Sequence, residues 1–212
     1  MSEFKVIEIK KSVFENNDRE ADKVREQLKK DRTFLLNLMS SPGSGKTTTL
    51  KATIAALKNE YKIGVMEADI DSDVDAKAIS ETGAKSIQLH TGGMCHLDAG
   101  MTKQGLESFD ANELDFVVLE NVGNLVCPAE FDTGASKNAM ILSVPLMFTV
   151  SDVVLINKID TKSVFDFDDE AVVKRIKKLN PNAEIFFISA KTGEGIDAWA
   201  DWLRREIDAW NK

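Results

Sequence analysis

The stretch SSPGSGKTT, residues 40–48, limits what this chain can fold into more than any other. It follows TFLLNLM (33–39), an apolar run of strand length, and from Lys46 to about Asn59 the residues have helical character. A strand that turns through glycines into a helix makes a concave anion site, because successive backbone N–H groups and the positive end of the helix dipole converge. Gly43 and Gly45 permit the tight path and the close approach of backbone to phosphate. Ser44 and Thr48 belong to the same cradle. Lys46 is placed to neutralise β- and γ-phosphates, and the Thr47 hydroxyl to ligate Mg²⁺. Ser40 stands where such loops usually begin with glycine. The pattern predicts a nucleoside triphosphate site over an ordinary strand-to-helix turn.

Further strand-length runs are KIGVME (62–67), KSIQL (85–89), DFVVLE (115–120), DVVLIN (152–157) and EIFFIS (184–189), with helical stretches between most of them. Continuous apolar strands alternating with helices predict an α/β P-loop NTPase: a mostly parallel sheet with helices on both faces. Ligands of such sheets sit beyond the carboxyl ends of the strands. A charged helix over 16–32 leads in, so the expected division is residues 1–32 as an N-terminal segment and helix, and 33–212 as the nucleotide domain. In the last segment, Trp199, Trp202, Leu203, Ile207 and Trp210 share one helical face, which reads as core packing. The net charge of −8 argues against nonspecific binding to nucleic acid or an anionic membrane. No apolar run is long enough to span a bilayer, and MSEFKVIEIKK is charged throughout, unlike a signal peptide. Two cysteines without an export signal fit reduced thiols, and the expectation is a soluble cytoplasmic protein.

The base is indicated by LINKID (155–160), at a strand end downstream of the phosphate loop. A carboxylate at Asp160 can accept from both N1–H and the N2 amine of guanine, a donor pair that adenine lacks. Asn157 and the Lys158 stem would hold the loop and flank the base, and backbone N–H groups of Ser189, Ala190 and Lys191 would meet guanine O6. The expected reaction is therefore GTP to GDP and phosphate. In VVLENVGN (117–124), Glu120 takes the place of a metal-linked acid and Gly123 that of a γ-phosphate sensor. EADIDSDVDAKAI (67–79) offers Asp69, Asp71, Asp73 and Asp75, of which Asp69 and Asp75 are favoured for Mg²⁺ or water. No residue is clearly fitted to position attacking water, so slow intrinsic turnover and a switch-like role are expected.

TGGMCHLDAGM (91–101) sets Cys95 beside His96, and NLVCPAEFD (124–132) carries the second cysteine, Cys127. Both segments follow strands and can converge beside the nucleotide. Two thiolates and an imidazole suit Zn²⁺ or Ni²⁺. On spacing alone, two buried reduced cysteines and a surface histidine are the slightly better account.

Taken in order, NLMSSPGSGKTT, DSDVDAKAI, TGGMCHLDAGM, ENVGNLVCPAEFD and NKID resemble the HypB family, nickel-inserting GTPases of hydrogenase maturation in the SIMIBI class. The resemblance runs from about residue 12 to the C-terminus, and CHLDA and ENVGNLVCPA are its most specific strings. It implies that Cys95, His96 and Cys127 bind nickel or zinc, and that GTP promotes a homodimer with the metal near its interface. It also implies a HypA-type metallochaperone docking at the N-terminal segment and a hydrogenase large-subunit precursor served indirectly. A urease-type nickel GTPase, or a zinc-stabilised nucleotide-binding module without metal delivery, are the rival readings. Three departures stand out. There is no cysteine- or histidine-rich N-terminus, so a separate tight nickel site or storage tract is expected to be missing. Ala78 replaces a frequent Arg or Lys. An acidic EGDD-type insertion usual between ILSVP and LMFTV is absent (141–150).

Overall fold

The computed structural model describes residues 9–41, 43–69, 79, 81–91, 94, 96–108, 110–123, 130–142, 148–162 and 167–212. The expected Asp71, Asp73, Asp75, Cys95 and Cys127 lie outside these residues, as does the Asp69 side chain.

Seven strands form one parallel sheet: β1 (Phe34–Met39), β2 (Ile63–Asp69), β3 (Lys85–His90), β4 (Phe116–Glu120), β5 (Lys137–Ile141), β6 (Val153–Ile156) and β7 (Glu184–Phe187). Their spatial order is β3-β2-β4-β1-β5-β6-β7, so the strand that feeds the phosphate loop lies at the centre, between β4 and β5. The α/β P-loop architecture expected from the strand runs is the one observed. Every residue of β1 is buried because both faces are covered. Leu36 and Leu38 pack under α2 (Lys46–Leu57) and α5 (Ile196–Trp210), with Ile54, Leu57, Trp199 and Leu203. Leu35 faces the opposite core with α1 (Ile9–Asp31) and the neighbourhood of α3 (Ala99–Ser108), through Val24, Leu28 and Leu97. Farther along that face, Met39 and Met140 meet Ile176 of α4 (Asp169–Leu179).

The tryptophan stripe is core. Trp199 and Trp202 stack at 5.3 Å, and their indole N–H groups donate to Thr53 Oγ1 (3.0 Å) and Glu184 Oε1 (2.9 Å). Trp210 closes the row with an edge contact to Phe34 at 6.4 Å.

Strand β5 was not among the expected runs. KNAMI begins with two polar residues, and its extended form depends on pairing with β1 and β6 on either side. That pairing is non-local, so no local pattern announces it.

Helix α1 starts earlier than expected and packs on the sheet. Val24 and Leu28 are each 3 % exposed, a burial worth about 1.5–3 kcal/mol per side chain. Arg25 adds a forked pair to Asp132, Nη1 to Oδ1 at 2.8 Å and Nη2 to Oδ2 at 2.7 Å. Partly exposed pairs of this kind contribute about 1 kcal/mol or less, so apolar burial holds the helix and the ion pair sets its register. Gly134, at φ 78°, lets the two surfaces meet: a Cβ there would fall 2.7 Å from Val24 Cβ.

Candidate functional site

Beyond the carboxyl end of β1, Ser40 is fully buried and the chain turns through Gly43 (φ 73°) and Gly45 (φ 92°) into α2. The Thr49 N–H donates to the Gly45 carbonyl at 2.9 Å, which opens the helix there. The Lys46 ammonium lies 3.7 Å from Glu120 Oε1, with only 14 % and 7 % of the two side chains exposed. Thr47 and Thr48 follow in the first turn of α2. Ser44 Oγ is buried and makes no hydrogen bond among the described residues, an arrangement that favours a ligand bringing its own polar atoms.

Asn157, just past β6, joins three loops. Its Nδ2 donates to the Ser44 carbonyl at 3.1 Å, and its Oδ1 accepts from Lys158 N at 2.8 Å and Ala190 N at 3.1 Å. Lys158, at φ 65°, extends its ammonium to the Gly43 carbonyl at 2.8 Å. Asp160 accepts from the Ser189 hydroxyl at 2.6 Å, and the Thr192 N–H donates to that same hydroxyl at 3.2 Å. The phosphate-loop, NKID and SAK segments are thereby tied to one another. Lys191 continues the SAK turn.

Glu120 ends β4, opposite Leu38 of β1 on one side and Glu67 of β2 on the other. Glu67 is 3 % exposed; in-register parallel strands point both carboxylates toward the α2 face. Sequence reasoning missed Glu67, although its place in VMEAD, one alternation after Val65, was a signal. It also missed a buried amide row. Asn121 Nδ2 donates to Asn37 Oδ1 at 3.1 Å, and Asn37 Nδ2 to Asn138 Oδ1 at 2.9 Å. Asn37 interrupts the apolar run FLLNLM, and that interruption was its only trace in the sequence. The row anchors the backbone that carries Glu120 toward Gly123. Asp69 is the last residue of β2, paired in register with His90.

The two cysteine-bearing segments meet through the residues described. His96 stacks on Phe131, ring centroids 3.8 Å apart and planes 11° from parallel. His96 Nδ1 is buried with no hydrogen-bond partner among the described residues. Asp98 caps α3, accepting from Met101 N at 2.8 Å, which accounts for the aspartate of CHLDA. Asp132 receives Arg25 and the Gly134 N–H (2.9 Å). Burial pushes its carboxyl pKa up, but the Arg25 hydrogen bonds, the Gly134 amide and the Arg25 charge outweigh this and leave it below the ordinary value. Among the described residues no three His, Cys, Asp or Glu side chains surround a common point, and two of the three expected soft ligands lie outside that set.

Residues 34–142 match the CobW/HypB/UreG nucleotide-binding domain. A hydrogenase maturation factor HypB of Azotobacter vinelandii is 39% identical over 216 residues, covering 97% of this chain and 71% of the relative. The chain belongs to the HypB family. The crystal structure of Helicobacter pylori HypB in complex with nickel superposes with a TM-score of 0.84 at 36% identity, covering 92% of this chain and 96% of that one. The 54 kDa protein of the signal recognition particle from Aeropyrum pernix, at 13% identity and TM-score 0.56, covers 83% of this chain and 49% of that one, and shares the fold alone. The chain is built on a nucleotide-binding P-loop domain. Among the described residues no helix is long and apolar enough to cross a membrane.

Proposed function

We propose that this HypB-family chain is a slow GTPase of the cytoplasm that binds nickel or zinc and assists nickel insertion during [NiFe]-hydrogenase maturation. The observation that carries the reading is the Asn157 junction, which brings phosphate loop, base loop and SAK turn together. In this reading Gly43, Ser44, Gly45 and Thr48 wrap the phosphates, Lys46 neutralises them, and Asn157, Lys158, Asp160 and Ser189–Lys191 select guanine. Ser189 supports the choice of base by fixing the Asp160 rotamer. Thr47 and Glu120 offer a hydroxyl and a carboxylate, donors that fit a hard cation, and would hold Mg²⁺. When bound, Mg²⁺ supplies charge neutralisation at the β- and γ-oxygens. Asp69 and Asp75 are assigned to Mg²⁺ or water, and Gly123 to sensing the γ-phosphate.

Nickel or zinc is cargo, held by Cys95, His96 and Cys127; the buried Nδ1 of His96 supports this assignment. Gly123 and Cys127 are four residues apart, so nucleotide state and metal geometry share a segment. Coupling of that kind requires different contacts in the two nucleotide states. GTP promotes a homodimer, a HypA-type metallochaperone docks at the N-terminal segment, and hydrolysis releases the assembly toward the hydrogenase precursor.

The test is turnover and size together. GTP, and not ATP, should be hydrolysed, and a nonhydrolysable GTP analogue with Ni²⁺ should give a dimer that GDP does not. Equal turnover of ATP, or a size indifferent to nucleotide and metal, would overturn the reading.

A further inference from the structure

Asn17 lies on α1, far in sequence from both cysteine-bearing segments, yet its amide binds each of them. Nδ2 donates to the Asp132 carbonyl at 2.8 Å, and Oδ1 accepts from the Ala99 N–H at 2.9 Å. Ala99 is three residues beyond His96, and Asp132 adjoins Phe131, the ring on which His96 stacks. One side chain therefore spans the backbone that carries His96 and the backbone that carries the ring it stacks on. A nitrogen shut off from water without a protein partner is costly unless a ligand arrives, and His96 Nδ1 is such an atom among the described residues.

We infer that Asn17 is a positioning residue for His96, holding the two segments at the separation that presents the imidazole to a soft divalent cation. This rests on the reading of His96 as a ligand of nickel or zinc. An amide suits the task, since it donates and accepts at once from a short stem; a carboxylate lacks the donor and an alanine lacks both. The helix does not need Asn17 to stay in place, because Val24 and Leu28 are buried and Arg25 grips Asp132. Partners that orient a metal-bound histidine commonly change affinity by about 10–100-fold.

The experiment is a double-mutant cycle read by titration of Ni²⁺, and separately Zn²⁺, into the full chain. It compares wild type, Asn17→Ala, His96→Ala and the double variant. Labelled-GDP affinity and thermal melting report the fold. Asn17→Ala should weaken Ni²⁺ by about tenfold and change the thiolate-to-nickel absorption band, with GDP affinity unchanged. In the His96→Ala background the same change should have no further effect. Asn17→Gln, which keeps both donor and acceptor on a longer stem, should fall between wild type and Asn17→Ala, and carries the cycle if the alanine variant unfolds. A loss that persists undiminished without His96 would show that Asn17 acts on the fold and overturn the inference. Unchanged Ni²⁺ affinity in His96→Ala alone would overturn the ligand reading itself, an outcome distinguishable from the first.

Discussion

The Asn157 amide reaches the Ser44 carbonyl at 3.1 Å and stands 2.6 Å from the point a Cβ at Gly45 would occupy. The loop assigned to the base is thus bolted to the loop assigned to the phosphates, and Gly45 is required both by its left-handed φ of 92° and by this close approach. Asn157→Ala should weaken GTP and GDP alike by about tenfold, since hydrogen bonds to two loops are lost together. Fluorescence titration of labelled nucleotides checks it; an unchanged affinity would mean the loops hold without the bridge.

Asp160→Asn should lower GTP affinity by about a hundredfold and favour xanthine nucleotides, because donor and acceptor at the base edge are exchanged. Ser189→Ala should have a milder effect in the same direction, freeing the carboxylate that the hydroxyl now holds at 2.6 Å. Competition binding with GTP, XTP and ATP measures both.

Lys46→Ala should abolish turnover. It also removes the ammonium 3.7 Å from Glu120, and losing one member of a largely buried ion pair is destabilising. Adding Glu120→Gln should restore much of the melting temperature without restoring hydrolysis. A double variant no more stable than Lys46→Ala would show that the pair does not govern this part of the fold.

Cys127→Ala should reduce Ni²⁺ affinity while leaving GTP binding largely intact. Replacing Cys95, His96 and Cys127 together should eliminate metal stoichiometry, measured by elemental analysis after gel filtration. Retained metal would mean that other ligands are used.

Asp132 gives a pH signature. Its folded pKa lies below the unfolded one, so its contribution is complete above the ordinary aspartate pKa and declines as pH falls through the folded value. Wild type should therefore exceed Asp132→Asn by about 1 kcal/mol near neutrality, with the gap closing in acid. Chemical unfolding at neutral pH and below the ordinary aspartate pKa provides the comparison.

The phosphate loop, the parallel sheet and the final helix were legible because each is a local pattern: glycine punctuation, unbroken apolar runs, a tryptophan stripe. Strand β5 was not, since KNAMI becomes a strand through its neighbours on the sheet. Glu67 and Asn37 looked like incidental polar residues in strands until register set them beside Glu120 and Asn121.

Residue type and spacing alone determined that a glycine-punctuated strand-to-helix turn opens a parallel-sheet nucleotide-binding domain. Only the folded chain decided that α1 grips the segments around His96 through Asn17 and Arg25, and that Asn157 joins three loops. Local patterns carry backbone preference and burial, whereas contacts between residues a hundred positions apart exist only after the sheet has set strand order and register.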